Sequence, residues 1–262
     1  MKIDFGEINF IPRERVDIFK NIILRIYEDD EKREKIEALK GDKWRLKQDD
    51  FVFYSIFRSF CTWGRALEHN KIDEYFKDIK FAELIELQEQ YRINIITKLL
   101  SEAGVRYAKK KPALLCYNIN IITKYGGELN IKKILLSIKG KVSKIVFLKQ
   151  FKGISNKYAR LIMMDVCHDE FLNSVALDAR HKNISRMLGL PENIIESKTD
   201  KDYEKHEDFY LRIAHSIGLN GWTIDKLIFN FDKEIISKLK DLGVDSRPPK
   251  LRRKTVSKGC LS

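Results

Sequence analysis

The sequence predicts an all-α fold, on three observations. Apolar residues recur at three- and four-residue spacing in almost every segment. Glycine and proline are sparse, 13 and 5 in 262 residues, and sit mostly where such segments end. No pair of alternating apolar runs flanks a hairpin turn, and no repeat of fixed period occurs.

The first helix is expected over 14–27, where Val16, Phe19, Ile22, Ile23 and Ile26 fall on one face. Residues 29–43 are so charged that they read as solvated. Residues 50–61 are apolar nearly all round, which places that helix in the core, with Asp50 as its cap. Thr62-Trp63-Gly64-Arg65 breaks it. Helical patterns follow at 81–87, 89–103 and 112–124, the last with Pro112 in its first turn and Tyr125-Gly126-Gly127 as its stop. Segments 130–138 and 141–151 read as short helices separated by Gly140. Helices over 156–167 and 179–188 follow, the second halted by Gly189-Leu190-Pro191. Helices at 203–217 and 223–239 complete the fold. Beyond it lies a proline-containing, basic arm with Arg247, Lys250, Arg252, Arg253, Lys254 and Lys258. The organisation expected is an N-terminal helical extension over 1–49, a core over 50–240 and a basic tail over 241–262.

An apolar content of 44% is enough for a sizeable core, as one two-lobed domain or two small ones. The net charge of +12 favours a polyanionic partner, nucleic acid or an acidic membrane surface, although a lysine-rich organism would show the same bias. Cys61, Cys116, Cys167 and Cys260 have no metal-knuckle spacing and read as free thiols of a reducing compartment. No run reaches about eighteen apolar residues, and residues 1–10 lack the pattern of a signal peptide. A soluble intracellular protein is expected, without membrane partner. His69, His168, His206 and His215 show no metal-ligand pattern, so no metal site is expected.

The chemistry concentrates in Phe151-Lys152-Gly153-Ile154-Ser155-Asn156-Lys157-Tyr158-Ala159-Arg160 and in Val175-Ala176-Leu177-Asp178-Ala179-Arg180-His181. Gly153 sits where the chain reverses, Ile154 would pin the turn, and Ser155 and Asn156 are good caps for the helix that follows. The amides of residues 153–157 would then be free, and with the helix dipole they form an anion site suited to a DNA phosphate. Lys157 lies in the first turn of its helix, where the dipole opposes a positive charge. A structural design would favour an acid there. The same field, helped by burial, makes the amine a better nucleophile. Asp178, 21 residues on, opens the next helix. As a cap it would be oriented and ionised, able to stabilise positive charge at a sugar carbon.

These two segments resemble the helix-hairpin-helix–Gly/Pro–Asp (HhH-GPD) superfamily of DNA glycosylases. Its usual pattern is Leu-Pro-Gly-Val/Ile-Gly-x-Lys-x-Ala, then Val-Asp-x-His about twenty residues later. The resemblance covers 145–186 closely, with the hairpin over 145–167, and implies a two-lobed helical fold with the active-site cleft between lobes. It makes Gly153 the hairpin glycine, Lys157 the Schiff-base lysine and Asp178 the catalytic aspartate. Lys152 stands for the usual proline and Ser155 for the second glycine, while His181 follows Asp178 by three residues instead of two. Gly153, Ser155, Asn156, Arg180 and His181 would contact DNA.

The four-cysteine iron–sulfur cluster of some branches is missing, and the lysine separates the chain from the monofunctional members. What remains is similar to the cluster-free 8-oxoguanine glycosylase/AP lyases. No cofactor is implied beyond a structural monovalent cation held by hairpin carbonyls. The partner implied is damaged double-stranded DNA, bound by a monomer. Trp63, Tyr91, Tyr107, Tyr117, Tyr210, Trp222 and Phe229 are available to stack on an extruded base, and Trp222 and Trp63 are the candidates carried forward. Arg58, Ser59 and Arg65 lie where relatives fill the gap left by that base, and Lys109-Lys110-Lys111 offers phosphate contacts. The alternatives are a hairpin module that binds DNA without catalysis, or a glycosylase for another lesion such as oxidised pyrimidines.

Overall fold

The computed structural model describes residues 11–63, 74 and 80–244, so Arg65, His69, Cys260 and the basic tail from Arg247 lie outside the described residues. No strand occurs among the described residues. The helices are α1 (Arg13–Glu28), α2 (Asp30–Ala38), α3 (Phe51–Thr62), α4 (Phe81–Ile85), α5 (Glu89–Glu102), α6 (Lys111–Lys124) and α7 (Glu128–Ser137). They continue with α8 (Lys141–Lys149), α9 (Asn156–Asp165), α10 (Ala179–Leu188), α11 (Glu192–Ile195), α12 (Asp200–Ser216) and α13 (Gly221–Asp241).

One group brings the two ends of the described chain together. α1 lies along α13 and touches α10, burying Val16, Phe19, Ile22, Ile23 and Ile26 as their spacing requires. Residues 11–49, read as an extension, therefore share the common core. The second group is built on α3, whose residues 51–61 are all buried against α6, α7 and α9. Apolar residues on every face leave α3 no solvent side, and it becomes the central rod.

Several boundaries depart from expectation. Residues 29–43 are largely exposed, as expected, but they are ordered as α2 and part of a 3₁₀ stretch, Leu39–Lys47. Asp29 caps α2 by accepting the Lys32 amide at 3.2 Å, Ile36 is buried, and the Lys32 ammonium reaches Glu234 on α13 at 2.9 Å. A single apolar anchor among charges carries no readable periodicity. Asp50 precedes α3 but its side chain makes no cap bond. α12 starts at Asp200, because Thr199 and Asp202 form a reciprocal capping box with both bonds at 3.1 Å. The stop after α6 is as expected: Gly126 has φ +84° and its amide bonds the Thr123 carbonyl, while the Gly127 amide bonds that of Ile122.

Within the lysine run, Lys109 and Lys110 are exposed, but Lys111 is buried. Its ammonium donates to the carbonyls of Phe60 (2.7 Å) and Trp63 (2.9 Å), the free end of α3. Burial pushes its pKa down to about 8. Lys111 is thus a helix stop and not a phosphate ligand. Cys61, Cys116 and Cys167 are buried free thiols; burial pushes Cys61 up to about 12 and Cys116 to about 11. Among the described residues, no helix is long and apolar enough to cross a membrane.

Candidate active site

The hairpin is α8, a turn and α9. Gly153 is required at its tip for two reasons. Its φ is +82°, and a Cβ built there would lie 2.7 Å from Phe60 Cζ at the end of α3. Ile154 is buried as expected, but its amide is not free, since it bonds the Phe151 carbonyl at 3.1 Å. Among the described residues, the amides of Gly153, Ser155, Asn156 and Lys157 have no protein acceptor. They lie at the positive end of α9, where Gly153 and Ser155 are exposed. Ser155 occupies the N-cap position without using its hydroxyl as a cap, so both its amide and its hydroxyl remain for an anion. The Asn156 side chain is already committed: it donates to Asp200 at 2.7 Å, an oxygen also bound by Lys149 at 2.7 Å.

Asp178 is held by the segment before it. Val175, Ala176 and Leu177 are buried with no strand beside them, and side chains of α12 and α13 take their amides. Val175 donates to Glu207 (3.0 Å), Ala176 to Asp225 (2.8 Å) and Leu177 to the Tyr203 hydroxyl (2.9 Å). Glu207 is itself fixed by a buried ion pair with Arg160 of α9 at 2.8 Å. The Asp178 carboxylate then caps α10, accepting the amides of Arg180 (2.8 Å) and His181 (3.3 Å). It also accepts the Arg180 guanidinium at 2.6 Å and lies 3.0 Å from His181 Nδ1. Burial alone would raise this carboxyl; His181, then Lys157 and Arg180, outweigh it and hold the group well below the usual carboxylate range.

Lys157 is half-buried, and among the described residues its ammonium has no hydrogen bond or ion pair. It sits 4.9 Å from the ring centre of Tyr158. Burial lowers its pKa, opposed by the negative charges of Asp178 and Asp225. The expected convergence therefore takes the form of electrostatic coupling between a free amine and a carboxylate fixed by other partners. Desolvation, not the dipole alone, supplies the shift.

Other expected site residues fall differently. His181 is buried at 1% exposure and has no surface to give DNA; it braces Asp178 instead. Trp222 is 1% exposed, and its indole donates to the Met164 carbonyl at 2.8 Å, so it is a core residue and not a stacking platform. Tyr210 is likewise fully buried. Trp63 is exposed at the end of α3, edge-on to Phe60. α3 packs against α9, and Phe60 near its end meets the hairpin at Gly153. Arg58 and Ser59 are buried, Arg58 paired with Asp165 at 3.1 Å and Ser59 bonded to the Ser55 carbonyl, so neither can fill a gap in a duplex.

Arg180 is partly exposed, paired with Asp178 and lying 4.4 Å from the ring centre of Phe229. Phe229 is thus an exposed stacking candidate linked to the carboxylate through Arg180. Reading the sequence did not single out Asp225, Glu207 or Tyr203. The one available signal was Asp225-Lys226 inside the otherwise apolar start of α13. Among the described residues, no group of three or more His, Cys, Asp or Glu side chains is placed to hold a metal ion.

No protein-family model matches the chain, and no curated protein matches it in sequence. Solved structures do match it in fold. The 8-oxoguanine DNA glycosylase of Thermotoga maritima superposes with a TM-score of 0.66 at 18% identity, over 82% of this chain and 96% of that one. The 8-oxoguanine DNA glycosylase of Methanocaldococcus jannaschii gives 0.65 at 16%, over 84% and 95%. The 8-oxoguanine glycosylase/lyase of the same organism, in complex with a 15mer DNA containing 8-oxoguanine, gives 0.65 at 15%, over 82% and 97%. This chain has the helical fold of those structures, along nearly their whole length.

Proposed function

We propose that the chain is a DNA glycosylase with AP-lyase activity, acting on damaged duplex DNA through a lysine imine, with 8-oxoguanine as its lesion. The observation that carries this reading is the uncommitted, desolvated amine of Lys157 coupled to the ionised carboxylate of Asp178. The fold it shares with 8-oxoguanine glycosylases supports it.

The duplex backbone would lie on the free amides of the hairpin, with the lesion turned out toward Lys157. The neutral amine attacks the sugar C1′ as the bond to the base breaks, and the base leaves with a proton. Asp178 stabilises the positive charge that develops on the sugar. The amine then replaces the ring oxygen at C1′, opening the sugar to an imine. Loss of a C2′ proton expels the 3′-phosphate, and hydrolysis of the imine frees Lys157. The chemistry needs no redox cofactor. A monovalent cation would steady the turn through its carbonyls: those of Phe151 and Lys152 accept one hydrogen bond each and keep a second lone pair.

For lesion choice, 8-oxoguanine carries a hydrogen at N7 that guanine lacks. A pocket acceptor for it would be left unpaired by guanine, at a cost of about 1–3 kcal/mol. Borohydride trapping on abasic and 8-oxoguanine duplexes tests the reading. The parent protein should give a covalent adduct, and Lys157→Gln should give none while still binding duplex. Undiminished nicking by Lys157→Gln would sink it. In a panel of lesions, uracil or thymine glycol cut about tenfold faster than 8-oxoguanine would overturn the lesion alone.

A further inference from the structure

His181 is enclosed between two carboxylates on different helices. Its Nδ1 lies 3.0 Å from Asp178 Oδ1, and its Nε2 lies 3.5 Å from Asp225 Oδ1. The ring is 1% exposed and Asp225 3%, so water does not replace either contact. Nε2 is fully buried and makes no hydrogen bond, so its approach to Asp225 is a near contact between ionisable groups and not a formed bond. Tyr210 fixes the remaining freedom, with its ring edge-on to the imidazole at 5.2 Å and its hydroxyl on the His181 carbonyl at 2.7 Å.

Nδ1 faces two groups with opposite demands. The Asp178 amide, 3.3 Å away, would use a bare nitrogen; the Asp178 carboxylate, at 3.0 Å, requires a proton there. Which demand is met depends on the other ring nitrogen. If Nε2 carries the only ring proton, the Nδ1 lone pair points at an anion in a dry site. If Nδ1 carries a proton, the Asp178 carboxylate gains a donor, and a further proton can lie between Nε2 and Asp225, on either atom.

We propose that Asp225 is a positioning residue: by pairing with Nε2 it commits His181 to carry a proton on Nδ1, and so holds Asp178 fixed and ionised beside Lys157. This rests on Asp178 as the working carboxylate. Asp225 also accepts the Ala176 amide at 2.8 Å and lies 3.6 Å from the Lys226 ammonium. Neither contact sets the tautomer of His181, so the ring spectrum separates those roles from this one. Asp225→Asn keeps an oxygen for that amide. It can no longer share a proton with Nε2, and its oxygen draws the ring proton to that side.

The test uses the full chain with ¹⁵N-labelled histidine, its His181 signals identified by their loss in His181→Gln. Without DNA, the long-range ¹H–¹⁵N spectrum should show a proton on Nδ1 of His181 in the parent protein and the Nε2–H form in Asp225→Asn. Single-turnover excision from 8-oxoguanine duplex should fall at least about tenfold in the variant, with duplex affinity unchanged. A parent ring protonated on Nε2 alone overturns the proposal, and that measurement does not depend on the variant folding. A variant whose ring spectrum or excision rate stays that of the parent overturns it as well. Should the parent excise nothing, the glycosylase reading fails by itself, and the two ring spectra still decide whether Asp225 sets the tautomer.

Discussion

Asn118 of α6 grips the backbone of Lys152 with both ends of its amide: Oδ1 accepts the Lys152 N–H at 2.8 Å, and Nδ2 donates to the Lys152 carbonyl at 3.0 Å. Lys152 stands where the glycosylase pattern that the hairpin resembles has proline, a residue that stiffens its own backbone. Here the stiffness comes from a side chain 34 residues away. Asn118→Ala should lower stability by about 1–3 kcal/mol in urea unfolding, two hydrogen bonds being lost. It should also weaken binding to damaged and undamaged duplex alike. A variant with parental affinity at fixed salt would leave Asn118 without a part in DNA binding.

Gly153 answers to dihedral and space together. Gly153→Ala should cost about 2 kcal/mol from the left-handed backbone alone, before the contact with Phe60 is counted. Adding Phe60→Leu should recover part of the loss and not all of it. Full recovery in urea titrations would mean that only the steric contact matters.

Asp178→Asn separates chemistry from capping. An asparagine caps a helix about as well as an aspartate, so α10 should survive. The charge proposed to stabilise the sugar cation is gone, and single-turnover excision should slow by about two orders of magnitude. Near-parental excision would reduce Asp178 to a cap.

The pH dependence follows from Lys157. In the proposed mechanism only the neutral amine attacks, and burial lowers its pKa below the ordinary lysine value. Imine trapping under single turnover should therefore rise with pH through a midpoint below that of a free lysine, then level off. Asp178 is held low, so its ionisation should not limit the rate near neutrality. A midpoint at the ordinary lysine value would show that the amine is solvated when it reacts.

Local rules made much of this legible. Gly153, Lys157 and Asp178 stand out because a turn, a helix start and a cap each demand particular residue types over a few positions. The all-round apolar pattern of α3 likewise announces its burial. Illegible were the groups that hold those residues. Tyr203, Glu207 and Asp225 reach back 26, 32 and 49 residues to their amides, and no local pattern carries that pairing. Trp222 misleads for the same reason: a tryptophan at a helix start can face a cleft or a core, and here the Met164 carbonyl decides for the core. α2 is hidden by having one apolar residue, Ile36, to bury.

The amides of Val175, Ala176 and Leu177 are all satisfied by residues that follow them in the chain. On the ribosome, where the N-terminal part is made and folds first, that segment emerges before any of its acceptors exists. The hairpin and Lys157 can form early, but Asp178 has no fixed position until α13 has been translated. A product terminated between the two would carry the hairpin turn and the amine without a set carboxylate. Full assembly of the proposed centre thus waits on α13, and a chain that stops short of it leaves Asp178 unset.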